Sequence, residues 1–350
     1  MIEESAIDLR RALSLRERGS VLIDARSPAE YSDATIPGAV NVPLFDDAER
    51  ARVGTLYKEQ GQAAARLLGV DLVAPRIPRM MRAVIEARGA SREPVVVFCW
   101  RGGMRSRALV SFLNLAGVPA LQLRGGHKAF RAAVLDFFER GDWGRLLVLR
   151  GLTGVGKTRW LKRLGEEGYP VLDLEGLANH RGSAFGALGL PAQPGQKMFE
   201  ALLWDRLHRI NPGSYVVTEG ESRHIGRCIL PLRVYQALQE ETSLWLNASL
   251  DYRVNCILDD YPAVSKHRPA FAASIQGLKP RLGGEAVARL LDLLEGGKWE
   301  DLVRELMVLY YDPLYRHSLP ERRVEITVEP EEEGLARLRG VIDQVLRGAA

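Results

Sequence analysis

The stretch Gly151-Leu152-Thr153-Gly154-Val155-Gly156-Lys157-Thr158 restricts the fold more than any other part of the chain. It is a full G-x-x-x-x-G-K-T between an apolar run, Arg145 to Arg150, and a segment of helical periodicity, Arg159 to Glu167. Strand, glycine loop and helix in that order make a P-loop, whose backbone N–H groups wrap a diphosphate at the positive end of a helix dipole. Gly151, Thr153, Gly154 and Gly156 would form the cradle, Lys157 would reach the terminal phosphate, and Thr158 could hold Mg²⁺. Such a loop needs a parallel sheet behind it. Val171 to Glu175, Tyr215 to Glu221, Thr242 to Asn247 and Arg323 to Val328 read as its strands, with helices in the gaps. The result is a doubly wound α/β half with added helices.

Further groups gather near that loop. The strand from Tyr215 turns from apolar to acidic at its end, where Glu219 or Glu221 could hold Mg²⁺ through water; the pattern does not separate them. After the second strand comes Asn179-His180-Arg181-Gly182-Ser183-Ala184-Phe185-Gly186, glycine-bordered and basic. It falls at the sheet edge where ligands bind, so Asn179, His180, Arg181 and Ser183 are candidates for a substrate loop against the plainer reading of a solvated one. Pro280 to Tyr315 reads as helical. The tyrosines at its end (Tyr310, Tyr311, Tyr315) are expected to pack rather than to stack on bases.

The other half carries a second strand-loop-helix unit. Val95, Val96 and Val97 centre a buried strand that ends at Cys99, and helical periodicity runs from Ser106 to Leu115. Between them lie Arg101, Gly102, Gly103 and Arg105. A loop of this kind turns N–H groups inward, the helix adds its dipole, and the two arginines add charge. All three favour thiolate over thiol, so Cys99 is expected to have a lowered pKa and to act as a nucleophile.

Upstream, Val21-Leu22-Ile23 reads as a strand leading to Asp24, Arg26 and Glu30, an expected structural ion network. Ile36-Pro37-Gly38 then turns into another short strand. Asp47 to Arg92 reads as mainly helical and Val118 to Leu123 as a strand. Gly141 to Gly144 makes a linker, giving expected domains at 1–140 and 141–350.

Composition narrows the classes. A chain of 350 residues with 46% hydrophobic and 26% charged content suits two globular domains. No apolar run reaches the ~18 residues of a membrane span. The acidic start, Met1 to Ser5, lacks the order of a signal peptide. Three scattered cysteines make neither a disulfide framework nor a zinc site, so a cytoplasmic protein with reduced thiols is expected. The net charge of +4 permits a nucleic-acid partner without requiring one.

Asp24-x-Arg26-x-x-x-Glu30-Tyr31, then Ile36-Pro37-Gly38-Ala39-x-Asn41, then the strand-end cysteine loop, resembles the rhodanese domain. Thr35 stands where that pattern has histidine, a departure read as structural. A rhodanese-like α/β domain joined to a P-loop NTPase-like domain of this size resembles the tRNA 2-selenouridine synthases. The markers are Phe98-Cys99-Trp100-Arg101-Gly102-Gly103-x-Arg105-Ser106, the P-loop, the Asn179 loop and Tyr310-Tyr311-Asp312-Pro313. The resemblance implies exchange of sulfur for selenium in wobble 2-thiouridine of tRNA. Geranyl diphosphate alkylates the sulfur, then selenophosphate supplies selenium, and a selenophosphate-supplying enzyme is an implied partner.

Under this reading Cys99, supported by Arg101, Gly102, Gly103, Arg105 and Ser106, carries selenium as a selanylsulfide or acts directly at C2. The P-loop would handle the prenyl diphosphate, and Arg101, Arg105, Arg107, Arg124, Lys128 and Arg131 would seat the tRNA backbone. Five residues separate Cys99 from Arg105, a longer loop than in common sulfurtransferase rhodaneses and wide enough for a tetrahedral oxyanion such as selenophosphate. The same spacing is the C-x5-R signature of cysteine phosphatases. That rival, and a P-loop kinase or ATPase with a regulatory N-terminal module, remain open on sequence alone, although no Asp or Glu is expected beside the loop as an obvious general acid.

Overall fold

The computed structural model describes residues 6–261, 268–316 and 320–347. Met1 to Ser5 and the side chain of Tyr315 lie outside the described residues. Two compact units are present: Met1–Arg140 with Glu200–Trp204, and Gly141–Phe199 with Asp205–Ala350.

In chain order the first unit contains β1 (Ala6–Ile7), α1 (Leu9–Glu17), β2 (Leu22–Asp24), α2 (Pro28–Asp33), β3 (Val40–Asn41), α3 (Asp47–Val73) and α4 (Ile77–Arg88). It continues with β4 (Val95–Phe98), α5 (Met104–Leu115), β5 (Ala120–Leu123) and α6 (Gly126–Arg140). Its sheet is parallel throughout, in the order β1-β5-β4-β2-β3, so β4 is the middle strand. A middle strand covered on both faces must be apolar on both, and Val95, Val96, Val97 and Phe98 are all fully buried. α5 starts at Met104 rather than Ser106, because Met104 is exposed and Arg105 is charged, so neither extends the apolar periodicity. The long helical stretch breaks at Gly61, whose φ of 85° no helix accommodates.

The second unit contains β6 (Arg145–Gly151), α7 (Lys157–Glu166), β7 (Val171–Leu172), α8 (Leu174–Ala178), the two ends of α9 (Gln196–Leu207), whose Glu200–Trp204 stretch belongs to the first unit, and β8 (Tyr215–Glu219). A short hairpin, β9 (His224–Ile225) with β10 (Cys228–Ile229), comes next. Then follow α10 (Leu232–Glu240), β11 (Ser243–Asn247), α11 (Leu250–Asp260), α12 (Arg268–Gly277), α13 (Lys279–Glu295), α14 (Trp299–Leu306), α15 (Asp312–Arg316), β12 (Arg323–Thr327) and α16 (Glu331–Arg347). The parallel sheet runs β12-β11-β6-β8-β7, which places the P-loop strand β6 in the middle.

Two expectations are corrected here. β7 ends at Leu172, because Asp173 caps α8 by accepting the Gly176 N–H at 2.6 Å and so stops the strand before Glu175. The segment from Pro280 is not one helix: Gly296 and Gly297 end α13, and a π-turn over Met307–Tyr311 joins α14 to α15. Phe271, Ile275, Leu290, Leu294, Leu302 and Leu306 give these added helices their own core.

Candidate active sites

Cys99 sits at the floor of the loop after β4, 2% exposed. Its Sγ accepts the Gly103 N–H at 3.2 Å and lies 3.2 Å from the Ser106 Oγ. Gly103 is the N-cap of α5, so the positive end of that helix meets the sulfur. Gln122 on β5 donates to the carbonyls of Gly102 and Gly103 at 2.9 and 3.0 Å and to Ser106 Oγ at 2.8 Å. With Gln122 donating to it, the Ser106 hydroxyl has its own proton available for the sulfur or for the Gly103 carbonyl at 3.2 Å. Gln122 carries no motif signature; only the strand pairing of β4 with β5 brings it to the loop.

The start of α6 supports the loop from below. His127 and Lys128 N–H groups bond the carbonyls of Cys99 and Trp100 at 2.8 and 2.9 Å. Gly126 has φ 56°, and a Cβ there would meet the Cys99 carbonyl at 2.1 Å. The glycine is thus required by contact as well as by conformation.

Arg105 does not lend its charge freely to the loop. Its guanidinium forks onto Glu30, with one bond at 3.2 Å and a shorter one from its other nitrogen. Burial pushes the Glu30 carboxyl up, but the Arg105 hydrogen bond and charge outweigh it and hold the group below its ordinary value. Glu30 is therefore an ionised anchor and not a proton donor. The ion network expected of Asp24, Arg26 and Glu30 divides accordingly. Asp24 and Arg26 form a buried fork, Nε donating to Oδ1 at 3.0 Å and Nη2 to Oδ2 at 2.6 Å, and the Thr35 hydroxyl completes it at 2.8 Å from Asp24. Glu30 belongs to the cysteine loop instead, which corrects the expectation that no Asp or Glu sits beside that loop; strand order brings it there from 75 residues away.

Of the other basic candidates in this unit, Arg101, Arg107, Arg124 and Lys128 are exposed. Arg131 is paired with Glu200.

In the second unit the P-loop joins β6 to α7. Gly154 has φ 82°, and a Cβ there would meet the Arg253 carbonyl at 2.5 Å and Met307 Cε at 2.6 Å. Gly156, left-handed at φ 80°, caps α7. The Thr158 Oγ1 donates to Glu175 Oε2 at 2.9 Å, and the Glu175 N–H donates to Glu219 Oε1 at 2.8 Å. A side-chain hydrogen bond also joins Glu175 to Glu221. Burial, then the neighbouring carboxylates, push Glu219 well above the carboxylate range and Glu221 up to about 8. Burial also raises Glu175, against the charge of Lys157 and the Thr158 bond. The sequence pattern puts Glu175 in a strand and gives it no role; the structure places it in α8, just past the end of β7 at the sheet edge.

Among the described residues no three His, Cys, Asp or Glu side chains converge as a metal set. Glu219 Oε2 is nevertheless fully buried and has no partner among them. This hard-oxygen surrounding suits Mg²⁺ bound in its usual way, by few protein groups with water and substrate phosphate.

The basic loop reaches the same region. Asn179, left-handed at φ 48°, ends α8, and Gly182 lies so close to Glu221 that a Cβ would meet the carboxylate at 2.5 Å. Arg181 donates to the carbonyls of Leu188 and Asp260 at 2.8 and 3.0 Å and lies over the Tyr261 ring at 4.4 Å. Burial and Arg181 lower the His180 pKa. Ser183 Oγ accepts the Phe185 N–H at 3.3 Å. Thr158, Asn179, His180 and Arg181 line one cleft with Arg159 and Lys162.

Both units resemble known proteins. Residues 144–340 match the family described as tRNA 2-selenouridine synthase AAA domain, and residues 8–133 match the rhodanese-like domain. A tRNA 2-selenouridine synthase of Pseudomonas syringae is 37% identical, the alignment covering 87% of this chain and 90% of the relative. Relatives of the same name from Nitrosomonas europaea and Bdellovibrio bacteriovorus are 32% and 34% identical, covering 87% and 89% of this chain and 90% and 92% of theirs. With a cysteine loop on one middle strand, a P-loop on the other and similarity running through both, the chain belongs to the tRNA 2-selenouridine synthase family.

Proposed function

We propose that this enzyme replaces sulfur by selenium in 2-thiouridine at the wobble position of tRNA, with geranyl diphosphate and selenophosphate as co-substrates. What carries the reading is the presence, in one chain of this family, of a cysteine that accepts a backbone N–H beside a hydroxyl and of a P-loop. In the first step the thiocarbonyl sulfur attacks C1 of the geranyl group. The C–O bond breaks, diphosphate leaves with the electron pair, and the base loses its N3 proton. The P-loop amides and Lys157 stabilise the departing diphosphate. Thr158, and Glu219 through water, would hold Mg²⁺, which would supply further charge for that anion.

S-alkylation makes sulfur a leaving group. The Cys99 thiolate adds to C2 and geranylthiol departs; the selenium of selenophosphate then displaces Cys99, and water cleaves the P–Se bond to give phosphate. This route needs no redox partner, whereas loading a selanylsulfide from selenophosphate would leave phosphorus reduced. A cytoplasmic setting and a selenophosphate-supplying enzyme as partner belong to the same reading.

The phosphatase alternative loses ground on two observations: Arg105 is occupied by Glu30, and Glu30 is held ionised, so it is no general acid. The test is to incubate the protein with 2-thiouridine tRNA, geranyl diphosphate and selenophosphate and to weigh the nucleosides by mass spectrometry. Lys157→Ala should abolish geranylation and leave exchange on pre-geranylated tRNA measurable. Loss of the second step alone would overturn the assignment of the P-loop.

A further inference from the structure

A cavity adjoins the P-loop on the side of the added helices. Thr153 of the loop forms part of its wall, which Phe185, Phe271, Leu302, Leu306, Met307 and Tyr311 largely complete. We propose that this cavity seats the hydrocarbon tail of the diphosphate ligand and that its depth sets the chain length accepted. The proposal rests on the reading of the P-loop as a prenyl diphosphate site.

Three observations carry it. The first is position: Met307 is packed so tightly on the loop that a Cβ on Gly154 would come within 2.6 Å of its Cε. Arg253 ties the Thr153 carbonyl, at 3.2 Å, to Asp312 at the end of the same π-turn. A ligand whose phosphates lie on the loop therefore has this wall beside it. The second is chemistry. None of the thirteen lining residues is charged or carries an amide; the polar side-chain groups are four hydroxyls and the indole of Trp299. A nucleobase needs matched donors and acceptors along its edge, and a site without them recognises apolar bulk instead. The third is order. Phe271, Leu302, Leu306 and Met307 are buried members of a packed wall, so the space is shaped before any ligand arrives.

The experiment is calorimetric titration of the full chain with inorganic diphosphate, geranyl diphosphate and farnesyl diphosphate. The intact protein should bind geranyl diphosphate at least about tenfold more tightly than inorganic diphosphate. Val303→Trp, which fills the cavity, should abolish that gain and leave inorganic diphosphate unaffected. Leu306→Ala, which deepens it, should move the preference toward farnesyl by about tenfold. If the intact protein binds geranyl diphosphate no better than inorganic diphosphate, the prenyl reading of the P-loop fails. If it does prefer geranyl but neither variant changes the ratios, the tail lies elsewhere and the cavity assignment is overturned. Should Val303→Trp not fold, an unchanged ratio in Leu306→Ala is sufficient to overturn it.

Discussion

At the residue scale, Cys99 accepts the Gly103 N–H and lies against the Ser106 hydroxyl, while Arg105 of the loop is held by a carboxylate. Cys99→Ser keeps the loop geometry but replaces a soft nucleophile by a hydroxyl with no base in contact. It is expected to accumulate S-geranylated tRNA and yield no selenouridine, as read by nucleoside mass spectrometry. Recovery of selenouridine in that variant would remove Cys99 from the chemistry. Glu30 gives a prediction of another kind. Its folded-state pKa lies below the ordinary value of 4.5, so its contribution to stability is complete above that pH and is lost as pH falls through the lower folded value. Glu30→Gln should therefore be less stable than the intact protein at neutral pH, by a margin that shrinks below pH 4.5. Denaturant midpoints measured across pH 3 to 7, about the span over which carboxylates titrate, decide it. A margin independent of pH would mean that the pair contributes packing and not charge.

At the element scale, what could be read in advance divides by the range of the interaction. The middle strands β4 and β6, with their glycine loops, are legible because each is a contiguous run of apolar residues followed by residues of special backbone freedom. Short strands at sheet margins, such as β1 and the β9–β10 hairpin, have only two residues each and no periodicity to detect. Glu30 and Gln122 reach the Cys99 loop, and Glu175 the P-loop, through strand order, which local sequence does not encode. The buried fork between Arg253 on α11 and Asp312 on α15 belongs with these: its partners are 59 residues apart, at 2.8 and 2.9 Å. Side-chain exposures of 6% and 13% leave little water to solvate either charge once the other is removed. Asp312→Ala should cost about 3 kcal/mol, the cost of orphaning a buried charge, in denaturant unfolding of the full chain. A loss of less than about 1 kcal/mol, the worth of an exposed pair, would show that the π-turn does not depend on this tie.

At the scale of the whole molecule, a net charge of +4 on 350 residues is too small to attract tRNA by itself, so binding must depend on where the cations stand and whether they are already neutralised. Arg107, Arg124 and Lys128 are exposed in the first unit, and Arg124 also reaches the Ala6 carbonyl at 3.3 Å. Arg131 is half-buried against Glu200, so its charge is already compensated. Each cation that meets a phosphate releases about one counterion, and removing it lowers the slope of log affinity against log salt by about 1. Arg107→Ala and Lys128→Ala should each do so, and the two should add, because the residues share no partner. Arg131→Ala should leave the slope unchanged even if it weakens the fold. Filter-binding titrations of 2-thiouridine tRNA over a range of salt concentrations measure this directly. A full unit lost with Arg131→Ala, and none with Arg107→Ala or Lys128→Ala, would place the tRNA backbone on a different face of the first unit and leave the exposed cations beside Cys99 without that role.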